Sequence, residues 1–138
     1  MIPGAFCPDA CLADGTPVRL LREAYEAGKV VAAICHGPMV LAAADVVEGR
    51  KITGWLASKD DVEIMGGIWR DDLPAIVEGN VVSGRTPDDV PEFIDAMTEA
   101  SARPVGCCAD LRGTRPGRGA PSYCQGNSTA PSWRPAAI

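Results

Sequence analysis

Six apolar residues in a row, Val30-Val31-Ala32-Ala33-Ile34-Cys35, stand between Lys29 and His36-Gly37-Pro38, and no other segment constrains the fold as much. A run this short and uniform suits a strand covered on both faces, as in a parallel sheet; a half-exposed strand would alternate polar and apolar residues. Pro38 is placed for the first turn of a helix reaching Val46. Strand, sharp turn and helix together put Cys35 above the carboxyl edge of the sheet, close to a helix N-terminus.

The flanking sequence repeats this alternation. Thr16-Pro17 reads as an N-cap and first helical residue, with Val18, Leu21 and Tyr25 on one face and Gly28 as the closing glycine. Ile52 to Trp55 reads as a short strand, and Ser58 as the cap of a helix whose start carries Asp60-Asp61. Ile68 to Arg70, Ala75 to Val77 and Val81 to Ser83 are further strand candidates, the last two joined by a hairpin turn at Glu78-Gly79-Asn80. Thr86-Pro87-Asp88-Asp89 opens a final helix with Phe93, Ile94 and Met97 on one face. The chain starts at Met1-Ile2-Pro3-Gly4, which reads as the end of a strand entering a loop. Alternating strands and helices predict an α/β domain with a mostly parallel sheet.

Composition divides the chain in two. Of its 138 residues, 46% are hydrophobic and 22% charged, a globular average. Residues 1–101 carry a net charge of −9, whereas residues 102–138 hold five arginines, Asp110, five prolines and five glycines, a net of +4. Such a tail lacks the apolar surface to offset its ordering entropy, about 1–2 kcal/mol per residue, and is expected to be disordered. Its arginines are too sparse, and its aromatics (Tyr123, Trp133) too few, to read as a nucleic-acid footprint. No apolar run is long enough for a bilayer span. The chain shows no secretory signal, so a cytoplasmic location with reduced thiols is expected for its six cysteines.

Cys35 is the candidate nucleophile. The thiolate is the reactive form, a helix N-terminus favours it, and Gly37 gives the backbone room to turn. His36 is the one histidine of the chain, and its backbone N–H follows the nucleophile, where an oxyanion donor belongs. The bland alternative is a small buried cysteine ending a strand. Cys7 and Cys11, with Cys35 and His36, supply four soft groups for zinc, but adjacent Cys35 and His36 make tetrahedral ligation awkward, so neither a metal nor a cofactor is expected. Asp60-Asp61 and Asp88-Asp89 read as solvated helix starts, and Trp55 and Trp69 as core or interface packing.

Longer stretches resemble the PfpI family of the class I glutamine amidotransferase-like superfamily. The matching text is Ile2-Pro3-Gly4, Pro8-Asp9, Gly28 to Pro38, Leu41-Ala42, Val47 to Thr53, Asp60-Asp61, Gly66-Gly67, Trp69, Glu78 to Arg85 and Pro87-Asp88-Asp89, ordered over roughly residues 2–100. The resemblance implies a flavodoxin-like α/β sandwich, here lacking its N-terminal strands, so that residues 1–101 form a partial domain. It implies Cys35 as nucleophile, His36 as its partner, Asp9 as the acidic third member, and the backbone N–H groups of His36 and Ala5 as oxyanion donors. In the family that acidic residue often acts across a subunit contact, so a homo-oligomer is expected.

Members of the family are described as peptidases, deglycases, glyoxalases needing no added cofactor, or redox-linked chaperones. The resemblance therefore implies a cysteine-dependent hydrolase acting on a peptide or small-molecule carbonyl. A redox-responsive stress protein without turnover, or an inactive fragment of such an enzyme, are the alternatives. Two departures stand out. The segment carrying a family glutamate that hydrogen-bonds the cysteine has no counterpart here. The loop reads Pro3-Gly4-Ala5 where the family has a second glycine, which is costly if φ is positive there.

Overall fold

Val31 and Ala33 point to one side of a strand and Ala32 to the other, and all three are buried, which requires layers on both faces. The computed structural model describes residues 1–102. Expectations for the arginine-bearing segment fall outside these residues, apart from Ala102, which ends the last helix. The elements in order are α1 (Cys7–Asp14), α2 (Thr16–Glu26), β1 (Val31–Ile34), α3 (Pro38–Ala43), β2 (Lys51–Ile52), α4 (Lys59–Ile64), β3 (Ile68–Trp69), β4 (Ala75–Glu78), β5 (Val81–Gly84) and α5 (Val90–Ala102). Short 3-10 turns, Leu56–Ser58 and Pro87–Asp89, lead into α4 and α5.

The sheet runs β1-β5-β4, with β1 and β5 parallel and β4 antiparallel to β5. Ile2 extends it beyond β1 as the expected strand end: its N–H bonds Ala32 O at 2.7 Å and its carbonyl accepts from Ile34 N at 3.2 Å. β2 and β3 pair parallel as a separate ribbon. One core, built from Leu21, Val31, Ala33, Val40, Leu41, Val47, Ile52 and Val62, lies between the sheet and the helices α2, α3 and α4. The second, Ala32, Val82, Phe93 and Ala100, lies beneath α5 on the opposite face. The flavodoxin-like α/β sandwich with a mostly parallel sheet is therefore the observed architecture.

Local details differ from the sequence reading in several places, beginning with β2, which is Lys51–Ile52 rather than a strand from Ile52 to Trp55. α1 was not anticipated, because its residues show no apolar face and only Pro8, in its first turn, is buried; Gly15, at φ 74°, closes it. Gly15 also precedes α2, so Thr16 is the first residue of that helix, and its hydroxyl bonds Asp14 at 3.0 Å rather than capping. α3 stops at Ala43, and the chain turns through Asp45 at φ 57° before Val46 and Val47 re-enter the core. Ile94 is 41% exposed, so α5 packs through Phe93, Ala96, Met97 and Ala100 instead.

Candidate active site

Cys35 follows the last residue of β1, with two residues between it and α3, and in this turn φ is 60° at Cys35. A non-glycine residue in this region is strained and persists only where its surroundings hold it. They do so from several sides. Cys35 N–H donates to Gly84 O at 3.0 Å, continuing the β1–β5 ladder by one residue. Its carbonyl accepts from Trp55 N–H at 2.7 Å and lies 3.2 Å from the Ser58 hydroxyl, whose proton it shares with Trp55 O at 2.9 Å. Ser58 is fully buried, and its side chain serves the elbow rather than capping α4. Gly54 sits over the same carbonyl, where an added Cβ would lie 2.8 Å from Cys35 O.

The thiol faces two groups. Cys35 Sγ lies 3.2 Å from His36 Nδ1, close enough for proton exchange, and both residues are half-buried. Below it runs the Pro3-Gly4-Ala5 loop, so close that a Cβ on Gly4 would stand 3.1 Å from the sulfur and 2.6 Å from Cys35 Cβ. The imidazole of His36 leans on Trp55, ring centroids 6.1 Å apart; Trp55 is 45% exposed at the site's rim rather than packed in a core. Because Nδ1 faces the sulfur, Nε2 is the nitrogen open to an acidic partner.

The other expected members are placed less tightly. Ala5, standing where a second glycine was expected, has φ 54°, the positive value that makes a side chain there costly, and it is exposed beside Gly4. Among the described residues neither the Ala5 nor the His36 N–H donates a backbone hydrogen bond. Asp9 is exposed in the first turn of α1, and among the described residues no hydrogen bond or ion pair joins it to His36. Cys7 and Cys11 face each other at 3.7 Å; burial, then the neighbouring Cys7 sulfur, raises the pKa of the Cys11 thiol. Among the described residues no three His, Cys, Asp or Glu are gathered as metal ligands, and no helix is long and apolar enough to cross a membrane.

Gly4, Gly54, Trp55 and Ser58 are the site residues that sequence reasoning missed. Nothing local marks them, since their role follows from two loops, one at the start of the chain and one just after β2, converging on Cys35.

Residues 1–100 match the DJ-1/PfpI family model. Protein/nucleic acid deglycase 2 of Escherichia coli is 39% identical over 93 residues, 67% of this chain and 54% of that protein. General stress protein 18 of Bacillus subtilis is also 39% identical over 93 residues, with the same coverage of 67% and 54%. The chain thus spans about half the length of these curated relatives. Among solved structures, a two-domain protein of Anabaena variabilis containing DJ-1/ThiJ/PfpI-like and ferritin-like domains is 35% identical. It superposes with a TM-score of 0.66, covering 73% of this chain and 30% of that one.

Proposed function

This chain belongs to the DJ-1/PfpI family, and from that premise we propose that it is a cysteine-dependent hydrolase of the deglycase type, acting on a carbonyl carbon. The observation that carries the reading is the strained Cys35 elbow, with its sulfur 3.2 Å from His36 Nδ1. His36 takes the thiol proton as Cys35 Sγ bonds to the carbonyl carbon and the C=O electrons move onto oxygen. The N–H groups of Ala5 and His36 hold that oxyanion. For a carbinol adduct of an α-oxoaldehyde, the amine or thiol leaves first as the carbinol re-forms the aldehyde, and that aldehyde carbon is the one Cys35 attacks. The resulting hemithioacetal moves its C–H proton through an enediol to the neighbouring carbonyl carbon, and water hydrolyses the thioester so formed to a 2-hydroxy acid and the free thiol, with no net change in oxidation state. Asp9 of a second copy steadies His36 through Nε2 in a homo-oligomer. The names of the deglycase and stress-protein relatives support the class of reaction and the setting, not the substrate.

The test is turnover of an α-oxoaldehyde adduct of a cysteine or lysine compound by the wild-type chain, Cys35→Ser and Cys35→Ala. Both variants should lose all measurable release while keeping the wild-type circular dichroism spectrum. Full turnover by Cys35→Ala overturns the proposal.

A half-exposed thiol in a relative of a general stress protein also favours a second reading, in which Cys35 is oxidised by peroxide to sulfinic acid and signals without turnover. That reading predicts Cys35 oxidation at peroxide levels that spare Cys7 and Cys11, together with an inactive wild-type chain in the adduct assay.

A further inference from the structure

Cys7 opens α1 and Cys11 stands one turn further on, their half-buried sulfurs joined by a thiol–thiol hydrogen bond at 3.7 Å. The two are held unequally. Cys11 packs against the larger core, whereas Cys7 is the first residue of a helix in which only Pro8 is buried. The N–H of a first helical residue has no partner within the helix, and that of Cys7 donates instead to Gly4 O at 3.3 Å. Gly4 is the residue packed against the Cys35 side chain, and Ala5 beside it has φ 54°. Cys7 is thus tied directly to the loop beneath the Cys35 sulfur.

A disulfide needs Cβ atoms about 3.8 Å apart, and residues four apart on a helix hold theirs about 5–6 Å apart. Oxidation therefore cannot leave both cysteines in place. Cys11 is anchored by the core, so Cys7 makes the move, of about 1–2 Å, and the first turn of α1 opens. We propose that Cys7 and Cys11 are a redox switch on the site: closing their disulfide draws Cys7 towards Cys11, breaks its bond to Gly4 and withdraws the Gly4-Ala5 loop from Cys35. The oxidant is a low-molecular-weight disulfide of the glutathione class. Cys7 Sγ loses its proton to solvent and attacks one sulfur of that disulfide, whose S–S bond breaks to release the first thiol. Cys11 Sγ then loses its proton, attacks Cys7 Sγ and expels the second thiol. The electron pair given up by the protein sulfurs ends on the two released thiols, which take up the two protons. Burial and the Cys7 sulfur hold the Cys11 thiol pKa up, and capping of Cys7 in the first step removes the second of these, which suits Cys11 to the resolving step. The switch concerns access to Cys35 and does not rest on the hydrolase reading.

The test treats the chain, with Cys107, Cys108 and Cys124 replaced by serine, with oxidised glutathione. Remaining thiols are then alkylated with iodoacetamide and read by peptide mass mapping. A Cys7–Cys11 link should form and be reversed by dithiothreitol, and mapping of the unsubstituted chain reads the same link without any variant having to fold. In the linked chain Cys35 should alkylate roughly threefold faster or more, because the loop no longer covers its sulfur. Circular dichroism should lose no more than the first turn of α1. In Cys7→Ser the same treatment should leave the rate at Cys35 unchanged. No readout uses turnover, so an inactive chain leaves the test intact. Glutathione adducts that accumulate on Cys7 or Cys11 without a link between them overturn the proposal. So does a link that leaves Cys35 alkylating at the same rate or slower, or one that forms only as the whole helical spectrum is lost.

Discussion

Two residues beside Cys35 carry opposite backbone demands. Gly4 has a negative φ, and its lack of a side chain matters for space: an added Cβ would meet Cys35 Cβ at 2.6 Å and Ile34 O at 3.2 Å. These neighbours belong to the end of β1 and cannot swing away. Gly4→Ala should therefore cost about 1–3 kcal/mol in urea denaturation and displace the thiol enough to slow its alkylation. Ala5 presents the reverse case, a side chain where φ is 54°. Ala5→Gly relieves the left-handed penalty of about 1–2 kcal/mol, partly offset by the freer unfolded chain. The expected result is a gain of about 0.5–1 kcal/mol in the same experiment. A loss of stability would show that Ala5 is held by contacts beyond its backbone.

At the scale of the element, α5 depends on an ionic cap. Asp89, 8% exposed, accepts from Arg85 Nε at 3.1 Å and Nη2 at 3.0 Å, and from Thr86 N–H and Oγ1 at 3.0 and 2.6 Å. The Arg85 guanidinium, with Thr86 adding to it against the opposing effect of burial, holds this carboxyl below the usual range. A depressed folded pKa gives stability that is present above the unfolded value, about 3.9, and lost as pH falls through the folded one. Asp89→Asn should cost about 1–3 kcal/mol at neutral pH. It should also flatten the loss of stability below about pH 4, where the wild-type carboxyl titrates. Thermal melts across that range decide it; parallel pH curves for the two proteins would exclude Asp89 as the cap. The helix was legible from Thr86-Pro87-Asp88-Asp89. The reach of Arg85 to Asp89 was not, because it depends on the angle at which β5 hands the chain to α5.

At the scale of the whole molecule, a buried side-chain bond joins the two strand systems of the described residues. Ser83 on β5 accepts the Thr53 N–H just after β2, at 3.0 Å, with both residues almost fully buried. Replacing Ser83 by alanine strands that N–H in a dry interior, at a cost of about 1–3 kcal/mol. Because Thr53 leads into the Gly54-Trp55 segment over Cys35, the same change should also lower turnover or Cys35 alkylation. Calorimetry and alkylation kinetics on Ser83→Ala test both, and an active-site readout that does not move would uncouple the ribbon from the elbow.

The sequence by itself determined the class of fold and the turn that carries Cys35. A doubly buried strand needs no neighbour to be recognised, since Val30 to Cys35 is apolar at every position, and the Cys35-His36-Gly37-Pro38 turn is local in the chain. The hairpin at Gly79-Asn80 was legible for the same reason, its conformation being set by the residues that make it. Tertiary structure alone decided what surrounds the cysteine. Gly4, Gly54 and Ser58 meet Cys35 only because Ile2 and the segment after β2 dock on either side of the β1 edge. Such contacts depend on the register between distant segments, which no local periodicity encodes. α1 was likewise settled by packing, since a helix without an apolar face leaves only its terminal Pro8 and Gly15 to be read.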